Sequence, residues 1–250
     1  MSNEEKDCID AADFFGTAKS VSDKKSHWGK AVREEMGENE TPKTPLEWAY
    51  YLREHPEEIE RYDFSGWSGL EWGILLQKQP DQISRCGLDS FSGEDWRHLL
   101  IVTGKFEDRC GAMDKWPLLS GDDWVVLLSY RPELSMFCDW QKAKLAAPRN
   151  VVDLLALYPE FAPNYDLTLL DGWSTGYLVS QQPKFAEKCD LGKLDDKRQW
   201  LSLLYYQPQF ANQCDRVKFN IRQDEWNEVL NGKMPWPDVF SPGVGVYDAL

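Results

Sequence analysis

Ser92-Gly-Glu-Asp-Trp96-Arg-His-Leu99-Leu100 decides the fold, because the chain writes variants of it repeatedly. A tryptophan, an apolar pair three and four residues later, a proline at eight and a cysteine or aromatic residue at fourteen return every 24 to 28 residues. Trp48, Trp72, Trp96, Trp124, Val151, Thr175, Trp200 and Trp226 hold the anchor place. Their pairs are Tyr51-Leu52, Leu75-Leu76, Leu99-Leu100, Leu127-Leu128, Leu154-Leu155, Leu178-Val179, Leu203-Leu204 and Val229-Leu230. Pro56, Pro80, Pro132, Pro159, Pro183 and Pro208 take the proline place, with Gly104 and Met234 as substitutes. Self-similarity at this period is the signature of a stacked repeat array.

Each unit reads as a helix, a turn and a shorter helix. Thr44-Pro-Leu-Glu47, Ser68-Gly-Leu-Glu71, Ser92-Gly-Glu-Asp95 and Ser120-Gly-Asp-Asp123 put a hydroxyl three residues before an acid. In that spacing the hydroxyl accepts from a free amide at the helix start and the acid reaches back to the cap. Asp196 to Gln199 is a weaker version, and the fifth unit, around Pro148-Arg-Asn150, departs from it. Beyond the cap, the anchor and its +3, +4 and +7 neighbours share one face. The proline ends this helix, since the residue before it is pushed out of helical geometry, and it suits the start of a second helix. Helices of about ten and six residues do not persist alone in water, so the units must lean on one another. The expected architecture is therefore all-α: an α-solenoid of about eight 24–28-residue helix–turn–short-helix repeats over residues 44–240. Residues 1–43 form an N-terminal extension or cap with short helices at 10–19 and 27–36, and residues 241–250 form a tail. Met234-Pro-Trp-Pro237 stops helix propagation, with Trp236 and Phe240 on the +10 and +14 slots of a C-terminal cap.

Cys86, Cys110, Cys138, Cys189 and Cys214 all stand fourteen after their anchors, where other units carry Tyr62, Tyr165 or Phe240. A slot that accepts Cys, Tyr or Phe is an apolar packing slot. Neighbouring helices pack about 10 Å apart, too far for a disulfide, so reduced, buried thiols are expected. Cys8 is outside the array. Asp63, Asp139, Asp166, Asp190 and Asp215 follow at +15, where Asp suits a turn; the other use of such a ladder, cation binding, lacks a second regular acid beside it.

The charge is −14, spread as −3, −6 and −5 over residues 1–44, 45–121 and 122–250. Such a surface repels nucleic acid and anionic membranes and favours basic partners. The N-terminus has no signal-peptide pattern, and no apolar run approaches the roughly 18 residues of a membrane span; a cytoplasmic location is the expectation. No metal, nucleotide or hydrolase motif is present. Of the three histidines, His27, His55 and His98, the last is placed on a lateral or outer helix face as a solvated side chain. No catalytic, cofactor or metal residue is assigned, and the expectation is a protein that is not an enzyme.

The quoted pattern, W-x-x-L-L-x-x-Q-P-x-F-A-x-x-C-D, is clearest in Trp200 to Asp215 and Val179 to Asp190. It resembles short tandem repeats of many bacterial and phage-encoded proteins of unassigned activity, and over residues 45–240 the resemblance implies an array made for interaction. Tyr50, Tyr130, Tyr177, Tyr205 and Tyr206 fall at +2, +5 and +6, away from the anchor face. They either pack on neighbouring units or form a tyrosine-rich binding stripe, together with the acids Glu54, Glu57 and Glu58. The functional expectation is a protein-binding scaffold for a partner with a basic surface. The alternative is an acidic nucleic-acid mimic that inhibits a nucleic-acid-binding protein, of the phage anti-defence, anti-CRISPR-like type.

Overall fold

The structure, a computed structural model, describes residues 42–234 and Phe240. The N-terminal helices expected at 10–19 and 27–36, Cys8, Trp236 and the tail 241–250 lie outside these residues. All regular structure among the described residues is helical, with no strand. The chain divides into two compact units at Ala146/Ala147.

The anchor-bearing helices are numbered α1 to α8. One unit contains α1 (Pro45–Glu54), α2 (Gly69–Leu76), α3 (Gly93–Thr103) and α4 (Gly121–Tyr130). The other contains α5 (Pro148–Leu157), α6 (Gly172–Gln181), α7 (Lys197–Tyr206) and α8 (Gln223–Leu230). Every anchor is the fourth residue of its helix, so the cap sets the phase and the anchor closes the first turn. Within each unit, consecutive helices pack in chain order: α1 on α2, α2 on α3, α3 on α4, and likewise α5 through α8.

The anchors point inward. Trp96, Trp124 and Thr175 are fully buried, and Trp72, Val151 and Trp200 nearly so; Trp48 and Trp226, in the first and last of these helices, are half-buried. The pairs at +3 and +4 are sealed from α2 through α7. Each such side chain taken out of water contributes about 1.5–3 kcal/mol, which short helices lack by themselves.

All four hydroxyl–acid caps form. In the fourth, the Asp123 amide donates to Ser120 Oγ at 3.1 Å and the Ser120 amide donates to Asp123 Oδ2 at 2.9 Å. Helix α5 begins at Ala147 with no side-chain cap, and this unassisted start is where the two compact units part.

The prolines behave as their chemistry requires. Residues His55, Gln79, Arg131, Tyr158, Gln182 and Gln207, each just before a proline, share φ between −122° and −135° and ψ between 63° and 78°. The bulk of the proline ring excludes the helical region there. The expected short second helix opens at each proline, and it takes the 3₁₀ form over three to six residues. Short pieces of this kind are where the tighter i→i+3 turn is used. The exception supports the rule: where Gly104 replaces proline, it adopts φ 66° and an α-helix, Glu107–Ala112, follows.

The +15 aspartates form turns. Asp63, Asp166 and Asp190 each accept from the amide two residues on, at 2.9, 3.0 and 2.9 Å. Asp139 and Asp215 each take two successive amides. The turn-forming role is thus observed directly.

Candidate functional site

The polar groups of the array are spent largely on holding one repeat to the next. Gln79 Nε2 donates to Leu52 O at 2.6 Å, Arg131 Nη1 to Leu100 O at 3.0 Å, Gln182 Nε2 to Ala156 O at 2.9 Å and Gln207 Nε2 to Ser180 O at 2.7 Å. In each case the residue before the proline donates to a carbonyl in the last turn of the preceding anchor helix, where carbonyls run short of donors; Leu100 O also accepts from the Gly104 amide. Lysines do the same for the turns between repeats: Lys115 donates to Asp89 O, Lys142 to Pro117 O and Lys193 to Thr168 O. Glycine at the first helical position permits the close approach. A Cβ on Gly69 would stand 1.8 Å from Asp95 O, and one on Gly93, Gly121 or Gly172 would stand 2.2–2.3 Å from Leu118 O, Lys142 O or Lys193 O in the junction that leads to the next anchor helix. These glycines, glutamines and lysines are missed when only hydrophobic periodicity is followed. Their sequence signals are the recurring Ser-Gly or Asp-Gly and Gln-Pro dipeptides.

The tyrosines expected as a stripe differ in exposure. Tyr50 and Tyr177 are buried, Tyr130 and Tyr205 are half-buried, and Tyr206 is 41 % exposed. The Arg53 guanidinium lies 5.1 Å from the Tyr50 ring, and Arg53 pairs with Glu54, which also holds Lys78. Lys78, then Arg53, keeps the Glu54 carboxyl below the usual range. Glu57 and Glu58 sit in the first turn of a 3₁₀-helix, paired with His55 and Arg61 at 3.3 and 3.4 Å. Tyr177 stacks on Trp173, and burial with the adjoining Asp153 pushes its hydroxyl pKa up. Tyr205 meets Tyr206 edge-on at 5.0 Å. Tyr50 and the three glutamates therefore lie together on α1 and the turn after it. Tyr177, Tyr205 and Tyr206 belong to the other compact unit.

His98 is only 6 % exposed, which corrects its placement on a solvated face. Arg97 reaches across from α3 to Asp123 of α4 at 3.2 Å, to Glu94 at 3.1 Å and to His98 Nε2 at 2.9 Å. A guanidinium only donates, so Nε2 accepts and the ring is neutral. Burial and Arg97 together lower the His98 pKa. The group clamps α3 to α4, and burial raises the nearby Tyr130 hydroxyl to about 12. With its acceptor lone pair occupied by Arg97, the imidazole is not presented to a substrate proton.

The cysteine slots match the expectation in chemistry and partly in depth. The five described cysteines are free; Cys110 and Cys214 are buried, while Cys86, Cys138 and Cys189 are half-buried. Burial raises the thiols to about 12 at Cys86, Cys110 and Cys138 and about 11 at Cys189 and Cys214. Thiols raised this far have little thiolate with which to react. Among the described residues, no cluster of three or more His, Cys, Asp or Glu is placed to hold a metal, and no helix is long and apolar enough to cross a membrane.

Two surface features remain. Leu118, Met136, Phe137 and Leu145 are 48, 80, 44 and 85 % exposed. Phe137 stacks on Trp116 at 5.2 Å, and Lys142 donates to the Pro117 and Leu119 carbonyls. The second is a cleft of about 510 Å³ between the loops after α1 and α2. No family model matches the chain, and neither does any curated protein or solved structure.

Proposed function

We propose that the protein is a non-enzymatic helical-repeat scaffold that binds another protein. The observation that carries this reading is the exposure of the large apolar side chains Leu118, Met136, Phe137 and Leu145, all within residues 118–145. Large exposed apolar side chains concentrated in one stretch point to an interaction surface. The net charge of −14 suits a partner whose apolar contact is rimmed by basic residues. The acidity itself supports a scaffold more than nucleic-acid mimicry. Glu47, Glu71, Asp95, Asp123 and Glu225 are occupied at helix starts, and five more acids are occupied in turns.

The test is affinity capture from the source cell, followed by binding measurements with the recovered partner. Met136→Ser/Phe137→Ser/Leu145→Ser should keep the helical signal and lose roughly tenfold or more in affinity. Unchanged affinity would reject this surface. Affinity that collapses with salt and yields to competing nucleic acid would replace the scaffold with the mimic.

A further inference from the structure

The cleft between the loops after α1 and α2 is built differently from its counterparts along the chain. The residues four and one before a helix cap are Ala143 and Ala146 ahead of α5, and Leu167 and Leu170 ahead of α6. Ahead of α2 they are Phe64 and Trp67. Four later junctions carry a 3₁₀ turn at this place, at Leu88–Ser90, Trp116–Leu118, Leu167–Leu169 and Leu191–Lys193. Here the chain makes a turn closed by the Trp67 amide donating to Phe64 O at 3.2 Å, with Gly66 at φ 82° and nothing within 4 Å of where its Cβ would stand. One of the two slots is also aromatic ahead of α3, at Phe91, and ahead of α4, at Trp116, but ahead of α2 both positions carry a ring.

The result is a cleft of about 510 Å³ walled by the rings of Tyr62, Phe64, Trp67, Trp72 and Phe91. Phe64 lies 4.8 Å from Trp67 and 4.9 Å from Trp72, so the wall is continuous. Trp67, Trp72 and Phe91 are buried, whereas Tyr62 and Phe64 are half-exposed. The rim supplies donors. The Tyr62 oxygen lies 3.4 Å from Trp67 Nε1 as acceptor, which leaves its own proton to give, and Arg85 stands at the edge beside Glu60. The one carboxylate in the lining, Asp63, accepts from the Ser65 amide and hydroxyl.

We propose that this cleft docks an extended, proline-bearing segment of a partner protein. Flat rings suit pyrrolidine rings, and a polyproline II backbone carries unsatisfied carbonyls that need donors such as the Tyr62 hydroxyl and the Arg85 guanidinium. The volume is in the range of formed ligand sites. The proposal rests on the partner-binding reading and gives one recognition element of that partner.

The probe is an acetylated polyproline peptide, titrated by calorimetry into the full chain. Saturable one-to-one binding is expected, weakened roughly tenfold in Phe64→Leu/Trp67→Leu. Tyr62→Phe and Arg85→Gln, which leave the ring wall intact, should each weaken it by a smaller factor, and they serve if the double variant does not fold. A glycine–serine peptide of equal length should give no heat. Absence of saturable polyproline binding, or equal binding by all variants, overturns the proposal, as does saturation by an arginine-rich peptide in its place. If a captured partner still binds while polyproline does not, the cleft assignment falls and the scaffold reading stands.

Discussion

The two compact units start their four helices with different chemistry and arrive at the same frame. Residues 42–146 use a hydroxyl and an acid four times over, at Thr44, Ser68, Ser92 and Ser120. Beyond Ala146 the caps are Ala147 with no side-chain bond, Asp171 and Asp196 each accepting one amide, and Arg222, whose amide is taken by Glu225. Yet the anchor is the fourth helical residue in every case, and the +3/+4 pair is sealed from α2 to α7. Buried apolar side chains and inter-repeat ties therefore set the frame, and cap chemistry is interchangeable within it.

The strongest way to break this equivalence is Gly69→Ala. The added methyl would collide with Asp95 O, a backbone atom that cannot rotate away. A cost of about 1–3 kcal/mol is expected, read as faster hydrogen exchange in residues 42–146 with residues 147–234 unchanged. Thr175→Val should act in the opposite sense and in the other unit. The Thr175 hydroxyl is fully buried with no hydrogen-bond partner among the described residues. An isosteric apolar group removes that desolvation cost, for a gain of about 1 kcal/mol by denaturant unfolding. Ser120→Ala should cost about 1 kcal/mol by losing its cap, and Ala147→Ser should recover a few tenths to about 1 kcal/mol at the uncapped start of α5.

The mildest test is pH. His98 faces Arg97, Glu94 and Asp95 on its own helix and Asp123 from α4. Its folded pKa lies below the ordinary 6.5, so the unfolded chain takes up the proton first as pH falls. The stability is complete above pH 6.5 and is lost as pH drops through the folded value. Exchange protection in residues 42–146 should decline in that window and flatten in His98→Asn. The described part of the other unit has no histidine and should not respond there.

Legibility followed the physics of each signal. Tryptophan anchors, leucine pairs, hydroxyl–acid caps and prolines act within one turn of chain, so Trp96, Ser92 and Pro132 can be read one repeat at a time. The 3₁₀ form of the elements after proline was less visible, because six residues starting with proline suit either helix type until packing chooses. His98 was misplaced since its burial comes from α4, a repeat away, and no periodicity within α3 reports it. Tyr50 and Tyr206 have equivalent polarity yet opposite exposure, because what covers a +2 or +6 side chain is the neighbouring repeat. The cleft on Phe64 and Trp67 appears only when each junction is compared with the others.

The recurrence of a thiol at one slot has a further use. Cys86, Cys110, Cys138, Cys189 and Cys214 are five reporters at one repeat position, buried at Cys110 and Cys214 and half-buried at the other three. Alkylation of Cys110 and Cys214 requires the local repeat to open, so their labelling rates, followed peptide by peptide, would time the breathing of one repeat in each compact unit with no label engineered in.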